Sequence, residues 1–162
     1  TRGLMGYTSR FLTLTKGTGV INRIFHGYGK FEGEMDGRKN GALISMSTGK
    51  AVAFAIFNLQ ARGEMFVTHN DPVYEGMIVG LAPKPGDMII NVMKGKQLTN
   101  MRTQGTDENV VLTPVRQMSI AEQLSMLNTD EALEITPKSL RLRKAILNPH
   151  ERKKSEKSGA AA

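Results

Sequence analysis

The residues best equipped for chemistry gather in one polar stretch, KGKQLTNMRTQGTDEN, running from Lys94 to Asn109. Lys94, Lys96 and Arg102 carry cationic groups suited to phosphates, while Gln97, Thr99 and Asn100 offer amides and a hydroxyl that reach sugar hydroxyls or base edges. No aromatic residue accompanies them, so recognition of a polyanion by its backbone and shape fits better than base stacking. The stretch has neither the helical nor the two-residue apolar rhythm that would bury it. Connections beyond about twelve residues without structure of their own are usually functional or disordered, and this one asks for a partner.

Elsewhere the candidates for chemistry dissolve. His26, His69 and His150 are scattered, and no H-E-x-x-H spacing places two imidazoles on one helix face. Glu32, Glu34, Asp36 and Gly37 match the opening of a calcium loop, but its twelfth position is Leu43 where a bidentate carboxylate is required. The neighbours Asp107/Glu108 and Asp130/Glu131 read as turns and caps rather than acid/base pairs. Lys16-Gly17-Thr18-Gly19 and Gly49-Lys50 lack the glycine and lysine order that cradles a nucleotide phosphate. Absence of cysteine removes disulfides and thiolate ligands together. Ten methionines, among them Met77, Met88 and Met93, read as core filling. No catalytic residue, metal or cofactor is expected.

Charge is distributed unevenly over the 162 residues. Residues 1–40 carry seven Lys/Arg against three Asp/Glu, residues 41–137 seven against ten, and residues 138–162 eight against two. A net +7 concentrated at the two ends and at the Lys94 to Arg102 cluster suits a scaffold that presents basic surfaces to a phosphate backbone. Apolar residues make up 40% and charged ones 23%, so the chain can bury a core. No apolar run approaches the roughly twenty residues that span a bilayer, and no membrane partner is expected.

Positioning these groups requires a frame. Gly3 to Thr15 places Leu4, Tyr7, Phe11 and Leu14 at three- and four-residue spacing, which predicts an amphipathic helix stopped by Lys16 and Gly17. Thr18 to Tyr28, rich in β-branched and aromatic residues, reads as a strand, and glycine-rich residues 31–41 as a linker. Short apolar runs follow at Ala42 to Met46, Ala51 to Leu59, Glu64 to Thr68, Gly76 to Ala82 and Asp87 to Met93; within the second, Phe54 to Gln60 fits a short helix equally well. Val110 to Met118 reads as a strand interrupted by Pro114. Ser119 and Glu122 form a capping box that opens a helix striped by Ile120, Leu124 and Leu127. From Leu133 strands resume around Thr136 and Pro137, and Ser139 to Ile146 alternates Leu140 and Leu142 with Arg141 and Arg143, a packed face backed by a basic stripe. ERKKSEKSGAAA, residues 151–162, reads as a disordered tail. The expected class is α+β: a mostly β domain over residues 42–150 with one or two short helices, preceded by a helix and a strand over residues 1–30. Those two leading elements cannot form a core alone. A chain that opens at Thr1 inside a helix is expected to be a fragment or a processed product.

TRGLMGYTSRFLTLTKGTG and the run to His26 and Tyr28 resemble the last helix and strand of ferredoxin-like domain V of elongation factor G-like translational GTPases. NGALISMSTGKAVAFAIFNLQARGEMFV, VYEGMIVG, GKQLTNMR-x-x-GTDE and ITPKSLRLRK look like the C-terminal domain peculiar to the BipA/TypA family of these proteins. The resemblance covers residues 1–150. It implies a cytoplasmic parent whose GTPase domain, with its GTP and Mg, is absent here, so that this part is no enzyme. It also implies the bacterial ribosome as partner, with the C-terminal domain directed to large-subunit rRNA and the acceptor stem of A-site tRNA, and roles in ribosome assembly and stress adaptation. By motif position it assigns RNA contact to Lys94, Lys96, Thr99, Asn100 and Arg102, and a second patch to Arg141, Arg143 and Lys144. One rival reading is a stand-alone basic RNA-binding assembly factor. Others are an enzyme acting on an anionic metabolite and a protein-interaction module built on the unpartnered helix and strand.

Overall fold

A computed structural model describes Leu4, residues 7–30, Gly33, and residues 38–95 and 110–159. Helix α1 spans Tyr7–Leu14 and stops where the sequence predicts. Lys16 and Gly17 turn into the left-handed region with φ of 52° and 80°, and the Gly17 N–H closes on the Leu12 carbonyl at 2.7 Å. The strand expected over Thr18 to Tyr28 does not form. The segment has no assigned secondary structure and pairs with no strand among the described residues, and a strand exists only through its ladder. Arg23 ties it back to α1 by donating to Thr8 Oγ1 at 2.7 Å. Most of its side chains stay in solvent, with Ile24 92% and Tyr28 100% exposed.

The body is built on a four-stranded sheet. β1 (Ala42–Ser45) lies at its centre, antiparallel to a later strand, Ile78–Leu81, and parallel to Met88–Ile90, while the short Glu64–Met65 closes the far edge. In chain order these are β1, β3 (Glu64–Met65), β5 (Ile78–Leu81) and β6 (Met88–Ile90). β2 (Gly49–Lys50) pairs separately with β4 (Pro72–Val73). All four residues of β1 are buried, so both faces of the sheet are covered. Leu43 and Val79 join Ile56, Leu59, Val73 and Val92 on one face, while Ala42, Ile44 and Ile78 meet Leu142 on the other. The two-residue alternation of a strand is thus split between two cores. Gly80 lets β3 approach closely, because a β-carbon there would collide with the Glu64 carbonyl.

The ambiguous second apolar run resolves as helix α2, Ala53–Gln60, with Ala55, Ile56 and Leu59 turned inward. Its residues follow the i, i+1, i+4 pattern of a buried helix face. The strand expected over Val110 to Met118 is instead unpaired among the described residues. A side chain replaces its ladder: Gln60 Nε2 donates to the Thr113 carbonyl at 2.9 Å, and the Thr113 N–H donates to Gln60 Oε1 at 3.2 Å. Helix α3, Ile120–Ser125, begins at the anticipated capping box, with the Ser119 N–H donating to Glu122 Oε2 at 2.9 Å. Two of the three residues of its expected stripe, Ile120 and Leu124, are exposed, and Gln123 is the buried residue.

β7 (Glu131–Ile135) and β8 (Leu140–Lys144) form a hairpin in which Leu133 faces Leu142. The bridge between Met77 and Arg143 and the bond from the Lys144 N–H to the Gly76 carbonyl dock it beside β5. The mostly β, α+β body agrees with the sequence reading. Its tail does not, because residues Pro149–Gly159 form helix α4. Asn148 Oδ1 accepts from the His150 and Glu151 N–H groups at 2.8 and 3.4 Å. Pro149 takes the first helical position, where a missing N–H costs nothing, and Arg152 donates to the Ile146 and Leu147 carbonyls at 3.0 and 2.6 Å.

Candidate nucleic-acid interface

Lys94 stands at the exit from the core. Val92 before it is fully buried and its carbonyl accepts from the Val52 N–H at 2.9 Å, while Asn91 Oδ1 caps the Met93 N–H at 2.9 Å. Two residues later the chain is solvent-exposed at Lys94. Gly49 packs against the Met93 thioether so tightly that a β-carbon would collide with it, which brings exposed Lys50 into the same neighbourhood. Lys96, Thr99, Asn100 and Arg102 lie outside the described residues.

The second predicted patch divides. Arg141 and Arg143 lie on the outward side of β8, half-buried, as the alternation requires. Arg141 donates to Glu134 Oε1 at 3.4 Å, and Glu134 also accepts from the Tyr74 hydroxyl at 2.6 Å. Burial and this bond push the Tyr74 pKa up to about 12, while the Tyr74 bond and the two arginines hold the Glu134 carboxyl below its ordinary range. Arg143 contributes to that field and donates to the Lys144 and Ala145 carbonyls at 3.2 and 3.4 Å.

Lys144 does not belong to this surface. Two-residue alternation sets it on the side of Leu140 and Leu142, and its side chain is 2% exposed. Its Nζ lies 2.5 Å from Asp87, 2.6 Å from Asp130 and 3.0 Å from Glu131. Arg38, from the linker, completes the cluster by bonding both oxygens of Glu131, at 2.7 and 3.1 Å. Burial works against the Lys144 charge, but three carboxylates outweigh it and raise its pKa. Asp87 is opposed by burial as well, yet Lys144 and the Ala42 N–H hold its carboxyl below the ordinary range. Lys144 is therefore a structural cation, occupied by protein carboxylates rather than available to phosphate.

Helix α4 supplies cations that the reading of a disordered tail overlooks. At 100° per residue, His150, Lys153, Lys154 and Lys157 fall within one arc of about 100°, with Glu151 outside it. All four are exposed, and the helix has no apolar stripe to bury. The sequence signal was Asn148-Pro149-x-Glu151, a capping amide, a proline at the first position and an acid in the first turn. A row of exposed cationic groups along a helix can displace counterions along a phosphate backbone. Among the described residues no His, Asp and Glu cluster could hold a metal.

The family model of the TypA/BipA C-terminal domain matches residues 40–149. A protein of Buchnera aphidicola subsp. Schizaphis graminum named large ribosomal subunit assembly factor BipA is 49% identical over 96% of the chain. The proteins of that name in Salmonella typhimurium and Escherichia coli K12 are each 45% identical over 96% and 97% of it. The chain spans only 26% of the length of each of these relatives. With its four-stranded sheet and its β7–β8 hairpin falling inside that match, the chain belongs to the TypA/BipA C-terminal domain family.

Proposed function

We propose that this chain is the RNA-contacting C-terminal part of a BipA/TypA translational GTPase, acting on the bacterial ribosome in the cytoplasm during large-subunit assembly and stress adaptation. GTP and Mg belong to the G domain of the longer protein, and this part contributes binding rather than catalysis. Lys94, Lys96 and Arg102 grip phosphates while Thr99 and Asn100 read sugar or base edges, directed toward large-subunit rRNA and the acceptor stem of A-site tRNA. Arg141 and Arg143 form a secondary contact. The observation that carries this reading is the placement of exposed cations at Lys94 and along α4, on a chain whose relatives are named ribosomal subunit assembly factors.

Cosedimentation of the chain with purified bacterial ribosomes across a salt series tests it. Lys94→Ala/Lys96→Ala/Arg102→Ala should weaken binding and flatten the slope of log affinity against log salt by roughly 0.7 to 0.9 for each phosphate that is no longer neutralised. Lys153→Gln/Lys154→Gln/Lys157→Gln, confined to α4, separates the helix from the loop. Slopes unchanged in both variants would remove these cations from the interface.

A further inference from the structure

An open cleft of about 740 Å³ separates the tip of the β7–β8 hairpin from residues 115–118 and the start of α3. Phe66, Ile78 and Leu142, which pack together in the second core, line it with apolar surface, and the exposed Ile120 and Ile135 extend that surface outward. Arg116, Lys138 and Arg141 line it as well, and among the described residues no Asp or Glu does. Arg141 is engaged with Glu134. Arg116 holds Glu122 by a single bond of 3.3 Å, and Lys138 is exposed with no ion pair among the described residues.

Both walls carry backbone that pairs with nothing. The Thr136 N–H donates to the Ser139 carbonyl at 3.0 Å, so the Ile135 and Leu140 pair just inside it is a non-hydrogen-bonded pair, and the Leu140 N–H and C=O point away from β7. On that same outer edge the Lys144 N–H donates to the Gly76 carbonyl at 2.9 Å, next to the Met77 and Arg143 bridge. Toward the hairpin tip the pairing stops and the cleft begins, leaving Leu140 with β7 as its only strand partner. Across the cleft, the backbone groups of residues 115–117 bond to no other residue among those described. An unpaired strand edge is a template for another chain.

We propose that this cleft is a docking site for an extended acidic peptide of a partner protein, which enters as a strand along the outer edge of β8. Strand addition draws its affinity from backbone hydrogen bonds and its selectivity from side chains at two-residue spacing. Alternate apolar side chains of the peptide meet Phe66, Ile78 and Leu142, and the acidic ones between them face Arg116 and Lys138. A nucleic acid lacks the peptide groups that would complete the ladder, and Phe66 is the only aromatic residue lining the cleft for a base to stack on. The proposal goes beyond the RNA-binding reading and does not depend on it.

Fluorescence anisotropy of the 162-residue chain with a short labelled peptide of alternating valine and glutamate is the test, with a valine and lysine peptide of equal length as control. The glutamate peptide should bind saturably and about tenfold more tightly than the lysine peptide. Arg116→Gln/Lys138→Gln, two changes at exposed positions, should remove most of that difference. Binding should slow amide hydrogen exchange at Leu140 and at residues 115–117, as a new ladder requires. N-methylation of the glutamate peptide at alternate residues keeps its charges and removes the donors of one edge, and should weaken binding by about tenfold or more. Absence of saturable binding, equal affinity for the two peptides, or slowed exchange confined to other residues would overturn the proposal. A short oligo(U) that displaces the peptide and slows exchange at the same amides would also overturn it, by giving the cleft to RNA.

Discussion

Lys144 and the lysines of α4 stand a few residues apart in the sequence and do opposite work. The Lys144 ammonium is enclosed by Asp87, Asp130 and Glu131, whereas Lys153, Lys154 and Lys157 project from a helix that buries no apolar face. The enclosed cation joins segments distant in sequence: the end of the linker through Arg38 and Glu131, the approach to β6 through Asp87, and the start of the hairpin through Asp130 and Glu131. The exposed cations join no other element among the described residues and stand in solvent instead. Charge count along the sequence cannot separate these roles, because they are set by which carboxylates the fold brings near.

The comparison breaks first at Lys144. Lys144→Ala leaves the three carboxylates facing each other with Arg38 as the remaining cation, and truncating one partner of a buried pair costs about 3–5 kcal/mol. Urea unfolding should show that loss, with little dependence on salt. A loss below about 1 kcal/mol, accompanied by weaker RNA binding, would return Lys144 to the surface patch.

The pH dependence sharpens the same point. Asp87 titrates below its ordinary 3.8 in the folded chain, so its contribution is present above that value and is lost as pH falls through the depressed pKa. Lys144 titrates above its ordinary 10.5, so its contribution is complete below that value and is lost as pH rises through the raised pKa. Thermal unfolding should therefore be nearly flat between about pH 5 and pH 9 and fall at both ends. Asp87→Asn should reduce the acid limb, and an acid limb unchanged by it would place the titrating groups elsewhere.

Legibility in the sequence followed the range of the interaction. The Lys16-Gly17 stop and the Ser119 and Glu122 capping box involve neighbours, and both form as read. Strand character over Thr18 to Tyr28 and Val110 to Met118 was legible as composition, but a ladder needs a partner that composition does not supply. Phe54 to Gln60 could be settled only by packing, once Ile56 and Leu59 met Leu43 and Val79. At the candidate interface, alternation placed Arg141 and Arg143 outward and, extended by one step, already put Lys144 with the leucines. Two of the carboxylates awaiting it, Asp130 and Glu131, belong to its own hairpin, where Glu131 is its cross-strand partner, while Asp87 comes from a segment distant in sequence. The cations of α4 were missed because its low hydrophobicity reads as disorder, while Asn148 and Pro149 act through local capping.

That cap provides the mildest and most discriminating change. α4 has eleven residues and no apolar stripe, a length at which an isolated helix is marginal in water, so its order depends on Asn148 and on the Arg152 bonds to the Ile146 and Leu147 carbonyls. Asn148→Ala should cost about 1 kcal/mol of local helix stability, seen as faster amide exchange at His150 and Glu151, with global unfolding within about 0.5 kcal/mol of the parent. RNA affinity should fall by less than in the lysine variants, because the charges remain and only their alignment is disturbed. Global destabilisation as large as that of Lys144→Ala would mean that α4 is part of the folded core, and the division between enclosed and exposed cations would have to be redrawn around Arg152.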